Sequence, residues 1–209
     1  MSTILARAVD LRLAYERRLV LDSVNVDISA GELTVIMGRS GSGKTTLLLA
    51  LAGLLAPTAG RVEITTSSVR YVPQAPSLLP ELTAWQNVVL AQRLHGAPPP
   101  RAGERATAEL QALGLAEAAD VLPFQLSGGM AARTALARAL ALDPAALLVD
   151  EPTGSLDAAT GAMVIDLLLE RAAAGAALVV STHDREVAQR LAGAGARTLV
   201  LSDGRLAAA

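Results

Sequence analysis

The chain contains no cysteine. That removes disulfide staples and thiolate–metal centres from consideration. Aromatic residues are nearly as scarce, with one Trp, two Tyr and one Phe in 209 residues. No block of Lys and Arg stands out against a formal net charge of −2, and a basic footprint is what nucleic-acid binding requires, so no nucleic-acid partner is expected. Long apolar runs are missing too. The longest, Leu47 to Ala56, is broken by Gly53 and amounts to about half a membrane span. The opening "MSTILARAVDL" has no charged region followed by an apolar stretch, so no signal peptide is expected. These absences predict a soluble, cytoplasmic chain, although the mean hydropathy is +0.41; much of that value is alanine.

What is present alternates in kind along the chain. "ILARAVDLRLAY" and "VNVDI" alternate apolar and polar residues as half-buried antiparallel strands do. "LTVIM", Leu33 to Met37, is continuously apolar, the pattern of a strand buried on both faces. "KTTLLLALAGLL" reads as a helix stopped by Gly53 and Pro57, and "RVEI" and "VRYV" as short strands. From Leu78 to Phe124 the pattern turns helical, broken by "HGAPPPRAG", which reads as a loop. A glycine-led helix, the strand "ALLVD", a helix over 158–173, the strand "ALVVS", a helix around Glu186 to Leu191, the strand "TLVLS" and the turn "DGR" follow, with "LAAA" as a tail. Strand and helix alternate apart from one helical insertion. The expected fold is therefore α/β: a mainly parallel sheet, an N-terminal antiparallel β subdomain, and a small helical subdomain over about 78–142 within a single domain over 1–209.

Chemistry is concentrated in a few words. "GRSGSGKT" (Gly38, Arg39, Ser40, Gly41, Ser42, Gly43, Lys44, Thr45) fits the phosphate-loop pattern G-x-x-x-x-G-K-[ST] between a buried strand and a helix that continues with Thr46. The glycines let backbone N–H groups wrap a β-phosphate, Lys44 reaches the β and γ oxygens, and the Thr45 hydroxyl suits Mg²⁺. A chance glycine loop with a surface lysine is the competing reading, and the strand–loop–helix context argues against it. "ALLVDE", Ala146 to Glu151, ends an apolar strand in two carboxylates. Asp150 can face Mg²⁺, and Glu151 can polarise an attacking water as a general base. Taken alone it would be a solvated acidic turn.

Together with "LSGGM" (Leu126 to Met130), "DEPTGSLD" and "STHD", these words resemble the ATP-binding-cassette (ABC) ATPases, in that family's order and over essentially the whole chain. The resemblance implies an ABC ATP hydrolase of the phosphate-loop NTPase fold, with ATP and Mg²⁺ as cofactors. It implies that Tyr15 stacks on adenine, against the alternative of a strand aromatic facing the core. It implies that Gln74, in "VPQAP", senses Mg²⁺ and the attacking water, that Asp157 crosses between subunits (a helix N-cap would look similar), and that His183 contacts the γ-phosphate. Ser127, Gly128 and Gly129 would close over the ATP held by a second copy, in a head-to-tail homodimer. Many relatives read "LSGGQ" and then polar residues where this chain has Met130, Ala131 and Ala132, which places polar contacts through those positions in doubt. Arg133 still matches.

A short cassette of this kind is similar to the separate ATPase subunit of a transporter, peripheral on the inner face of the cell membrane through its permease. "QAPSLLPELTAWQNV" with "DEPTGSLD" is most like the group that drives lipoprotein release and macrolide-type export. A soluble cassette ATPase serving iron–sulfur cluster assembly would share every one of these motifs. A small-molecule kinase would share only the phosphate loop.

Overall fold

A computed structural model describes residues 3–16 and 18–209. In chain order the elements are β1 (Ile4–Tyr15), β2 (Arg18–Ser29), β3 (Leu33–Met37), α1 (Lys44–Leu51), β4 (Ala59–Ile64), β5 (Val69–Val72), α2 (Ala84–Leu94), α3 (Pro99–Ala112), α4 (Gly128–Leu140), β6 (Ala146–Asp150), α5 (Ala158–Ala173), β7 (Ala177–Thr182), α6 (Arg185–Gly193), β8 (Arg197–Ser202) and β9 (Arg205–Ala208), with short 3₁₀ turns at Ala116–Ala118 and Pro123–Gln125.

The chain divides into two compact units. The first comprises residues up to Tyr71, Ala145–Glu151 and Leu168–Ala209. It holds a three-stranded sheet in the order β2-β1-β4, whose strands pair antiparallel. A six-stranded sheet, β5-β6-β7-β3-β8-β9, lies alongside it in the same unit. The β6–β7, β7–β3 and β3–β8 pairs are parallel, and β9 returns antiparallel to β8. Continuous apolar sequence explains the middle of this sheet: every residue of β6 and β7 is buried. Their side chains alternate between faces. Ile36, Leu148 and Val179 join one core cluster with Leu47, Leu48 and Leu51 of α1 and with Leu11, Leu21 and Ile28 of the antiparallel sheet. Val35, Leu147, Leu178 and Val180, equally buried, point the other way. α6 packs against β3, β7 and β8, with Asp184 capping its first turn by accepting from Glu186 N and Val187 N.

The second unit, Val72–Pro144 with Pro152–Leu167, is built on α2, α3 and α4, which pack on one another. Thr83 opens α2 with a reciprocal capping box, its hydroxyl accepting from Gln86 N while Gln86 Oε1 accepts from Thr83 N. Trp85 lies against Gly103, where a Cβ would sit 3.2 Å from the indole, and its Nε1 donates to Thr107 Oγ1 at 3.1 Å.

The expected fold class is the observed one, with three local corrections. The loop in "HGAPPPRAG" is confined to 95–98, because α3 begins at Pro99. Prolines are tolerated in a first helical turn, where their missing N–H groups would have no intrahelical partner. The "LAAA" tail is strand β9 for most of its length, paired as Leu201↔Leu206 and Val200↔Ala207. The first helix stops at Leu51, short of Leu55, because Gly53 takes a left-handed φ of 70° or so, at +72°.

Leu148 is wholly buried in β6. Leu148→Ala is expected to lower unfolding free energy by about 2–5 kcal/mol, read as a fall in the urea midpoint with little change in slope.

Candidate active site

Three chain segments of the first unit converge at the carboxyl ends of β3, β6 and β7. The Gly38–Gly43 loop leaves β3 and turns through positive φ at Gly41 (77°) and Gly43 (104°). Gly38 has no room for a side chain: a Cβ there would lie 2.6 Å from both Leu201 O and Ser42 Oγ. Gly43 then caps α1 without a side-chain acceptor, leaving first-turn N–H groups available to an anion.

Lys44, the first residue of α1, is only 6% exposed. Its Nζ donates to Gly38 O at 2.9 Å and Arg39 O at 3.3 Å, and lies 3.3 Å from Glu151 Oε1. The ammonium is thus held over its own loop. Thr45 Oγ1 donates to Asp150 Oδ2 at 2.5 Å. Thr46 is buried beside it in the sequence.

Asp150 ends β6 at 2% exposure. Besides Thr45 it accepts from Tyr71 OH at 3.4 Å and from Ser181 Oγ. Burial and the Asp150 charge push the Tyr71 phenol well above its ordinary range. Glu151 leaves the strand at φ 48°, a left-handed conformation that costs an L-residue about 1–2 kcal/mol. Its N–H donates to Ser181 O at 3.0 Å. The Glu151 side chain is buried, and it meets His183 twice: Oε1 is 2.9 Å from Nδ1, and Oε2 accepts from His183 N at 3.3 Å. The His183 ring is otherwise open to solvent, 60% exposed.

Lys44, Thr45, Asp150, Glu151 and His183 therefore form one constellation. Its donor set suits a hard divalent cation: the Thr45 hydroxyl and the Asp150 carboxylate, hydrogen-bonded to each other, are oxygen donors of the kind Mg²⁺ takes, an ion that usually accepts one or two carboxylate contacts and completes its octahedron with phosphate and water oxygens. Among the described residues no group of three or more His, Cys, Asp or Glu could hold a metal alone, as such a shared site would not need one.

Tyr15 stands at the end of β1, paired with Arg18 of β2 and 49% exposed, so it does not face the core. Nearby in the chain, Arg18, Leu19 and Val20 line a cavity of about 490 Å³ with Arg39–Ser42 and Leu201–Gly204.

The remaining candidates belong to the second unit. Gln74 is exposed just beyond β5. Ser127 caps α4, accepting from Met130 N at 3.2 Å, and Gly128 has open space where a Cβ would be. A Cβ on Gly129 would press to 3.0 Å on Leu156. Met130 donates its N–H to Ser127 Oγ and accepts from Thr134 Oγ1 at its C=O. Arg133 is occupied structurally, donating to Leu113 O at 2.7 Å and Gly129 O at 3.3 Å. Asp157 is exposed and accepts from Thr160 N and Thr160 Oγ1, an N-cap arrangement that holds its carboxyl below the usual range.

A profile described as ABC transporter matches residues 21–154. The chain belongs to the ABC transporter family. It is 37% identical to the ATP-binding protein LolD of the lipoprotein-releasing system of Aquifex aeolicus, over 96% of this chain and 95% of that one. It is 45% identical to the aliphatic sulfonates import ATP-binding protein SsuB 2 of Rhizobium johnstonii, over 94% and 77% respectively. Among solved structures it resembles the ATP-binding cassette MJ0796, described as a dimer in a post-hydrolysis state bound to ADP and Pi, with a TM-score of 0.88, 34% identity and 96% coverage of both chains. The chain is thus an ATP-binding, ATP-hydrolysing ABC transporter subunit of the kind that includes LolD, rather than an ATPase of iron–sulfur assembly. Among the described residues no helix is long and apolar enough to cross a membrane.

Tyr71 and Ser181 were not among the sequence candidates. Ser181 is the lone hydroxyl between the apolar run of β7 and Thr182, a hint that only the strand pairing turns into a contact.

Gly38→Ala is expected to displace the phosphate loop. Nucleotide affinity should fall at least tenfold, and stability by about 1–3 kcal/mol through overpacking, read by ATP titration and thermal melting.

Proposed function

We propose that this ABC ATPase binds Mg²⁺–ATP at the Lys44–Thr45–Asp150–Glu151–His183 constellation and hydrolyses it in a head-to-tail dimer that drives a separate membrane permease. The observation that carries this reading is the contact of Thr45 Oγ1 with Asp150, next to a Glu151 held by both Lys44 and His183. Backbone N–H groups of 38–46 cradle the phosphates and Lys44 moves from its loop carbonyls to the β and γ oxygens. Thr45 and Asp150 would hold Mg²⁺, which would supply neutralisation of the phosphate charge. Glu151 accepts a proton from the attacking water, and His183, which shares Glu151 Oε1, orients the γ-phosphate. Tyr15 stacks on the base. Gln74 of the second unit, the helical subdomain, takes part in sensing the metal and the water.

The second copy supplies Ser127, Gly128 and Gly129, with Asp157 at the crossing between subunits. An exposed cap serine and a bare Gly128 support that role, since both leave a helix N-terminus accessible to an anion. The dimeric state of the solved relative supports the pairing. Near end-to-end similarity to LolD supports a partner permease of the lipoprotein-release type, with this chain peripheral on the inner face of the membrane.

Glu151→Gln should retain ATP binding and lower turnover by roughly 10²–10⁴, with the ATP-bound dimer trapped and visible by size exclusion. Unchanged turnover removes Glu151 from the chemistry. Lys44→Ala and Ser127→Arg should each be inactive alone. Mixed and allowed to exchange subunits, they should recover about a quarter of wild-type activity if the two sites fire independently, because half the dimers then carry one intact composite site. No recovery, with exchange verified by labelled chains, contradicts a site shared between subunits.

A further inference from the structure

Among the described residues no cation pairs with the Asp150 carboxylate. Lys44, the nearest ammonium along the loop, is engaged by Glu151 and two backbone carbonyls. Three hydroxyls surround Asp150 instead: Thr45 and Tyr71 on Oδ2, Ser181 on Oδ1. A buried carboxylate requires such donors, but these three are not equivalent. Thr45 is itself a metal ligand in the function proposed above, and Tyr71 sits at 3.4 Å, at the edge of hydrogen-bonding distance. Ser181 is fully buried on β7, directly opposite Asp150 in the parallel β6–β7 register. Its backbone C=O accepts from Glu151 N as well. One residue therefore grips both carboxylate-bearing positions at the strand end.

We infer that Ser181, seconded by Tyr71, is a positioning residue for the metal site: it pins Oδ1 so that the Asp150 carboxylate cannot rotate, and presents Oδ2 on the side of Thr45 where Mg²⁺ would bind. This rests on the assignment of Thr45 and Asp150 to Mg²⁺. Donors that orient a metal-binding carboxylate from behind commonly change metal affinity about 10- to 100-fold when removed. Ser181→Ala leaves a small change of volume in the strand and strips Oδ1 of its donor. Ser181→Thr keeps the hydroxyl on a β-branched side chain suited to a strand.

The test is binding of trinitrophenyl-ATP to the full chain at increasing Mg²⁺, with a parallel series in EDTA. In Ser181→Ala, the Mg²⁺ concentration for half-maximal enhancement of binding should rise about tenfold or more, while affinity in EDTA stays at the wild-type value. Ser181→Thr should return the midpoint toward wild type, and Tyr71→Phe should shift it in the same direction by less. A Ser181→Ala midpoint equal to wild type overturns the inference, as does an equal loss of binding with and without Mg²⁺. Should Ser181→Ala not fold, Tyr71→Phe carries the same test, with an unmoved midpoint counting against the pair. A wild-type protein whose nucleotide binding ignores Mg²⁺ overturns the metal assignment itself, and the inference with it.

Discussion

The Asp150 carboxylate is buried at the end of a strand that is itself buried along its whole length, and a carboxylate shielded from bulk solvent needs hydrogen-bond donors. The protein has to supply donors, and it does so from three places in the sequence: α1, β5 and β7. That requirement ties the phosphate loop to the sheet. Thr45 can reach Asp150 only if the loop turns tightly enough to start α1 beside the end of β6, which in turn requires Gly38 without a side chain and left-handed glycines at 41 and 43. The apolar middle of the sheet thus sets, through one buried polar group, where the phosphate-binding backbone sits.

Glu151 occupies the next position under a different constraint. Its left-handed backbone turns the side chain away from the strand direction and into reach of Lys44 and His183. Strain of this kind persists where the surroundings over-determine it, and here a backbone hydrogen bond to Ser181 and contacts to Lys44 and His183 do so. Adjacent acids are thereby given unlike surroundings: hydroxyls for Asp150, an ammonium and an imidazole for Glu151. That difference underlies the separate roles proposed for the two.

Much of this was legible in the sequence because the informative groups are local. The phosphate loop, the acidic strand end and the glycine-led helix each declare themselves within a few residues, and the apolar run of β3 marked a strand buried on both faces. Contacts that depend on pairing were not legible. Nothing in "ALVVSTHD" says that Ser181 rather than Thr182 faces Asp150; that is a consequence of strand register, where a one-residue slip exchanges the faces. Tyr71 was hidden in the same way, in a short strand far from β6 in the sequence. Reading "APPPRAG" as loop failed because proline disfavours a helix interior but not its first turn, and the alanine tail was read as featureless because an edge strand can be specified by its partner rather than by its own residues.

Trp85 is the sole tryptophan of the chain, and it is packed between α2 and α3 against Gly103. Red-edge excitation, which spares the tyrosines, would therefore light one spot in the helical unit and leave the first unit dark. Because the Trp85 indole on α2 donates to Thr107 on α3, its emission would report on the contact between those two helices. The molecule carries a native optical gauge of one of its halves, and with no thiol anywhere in the sequence, a dye attached to a single introduced cysteine would give the other half a second colour.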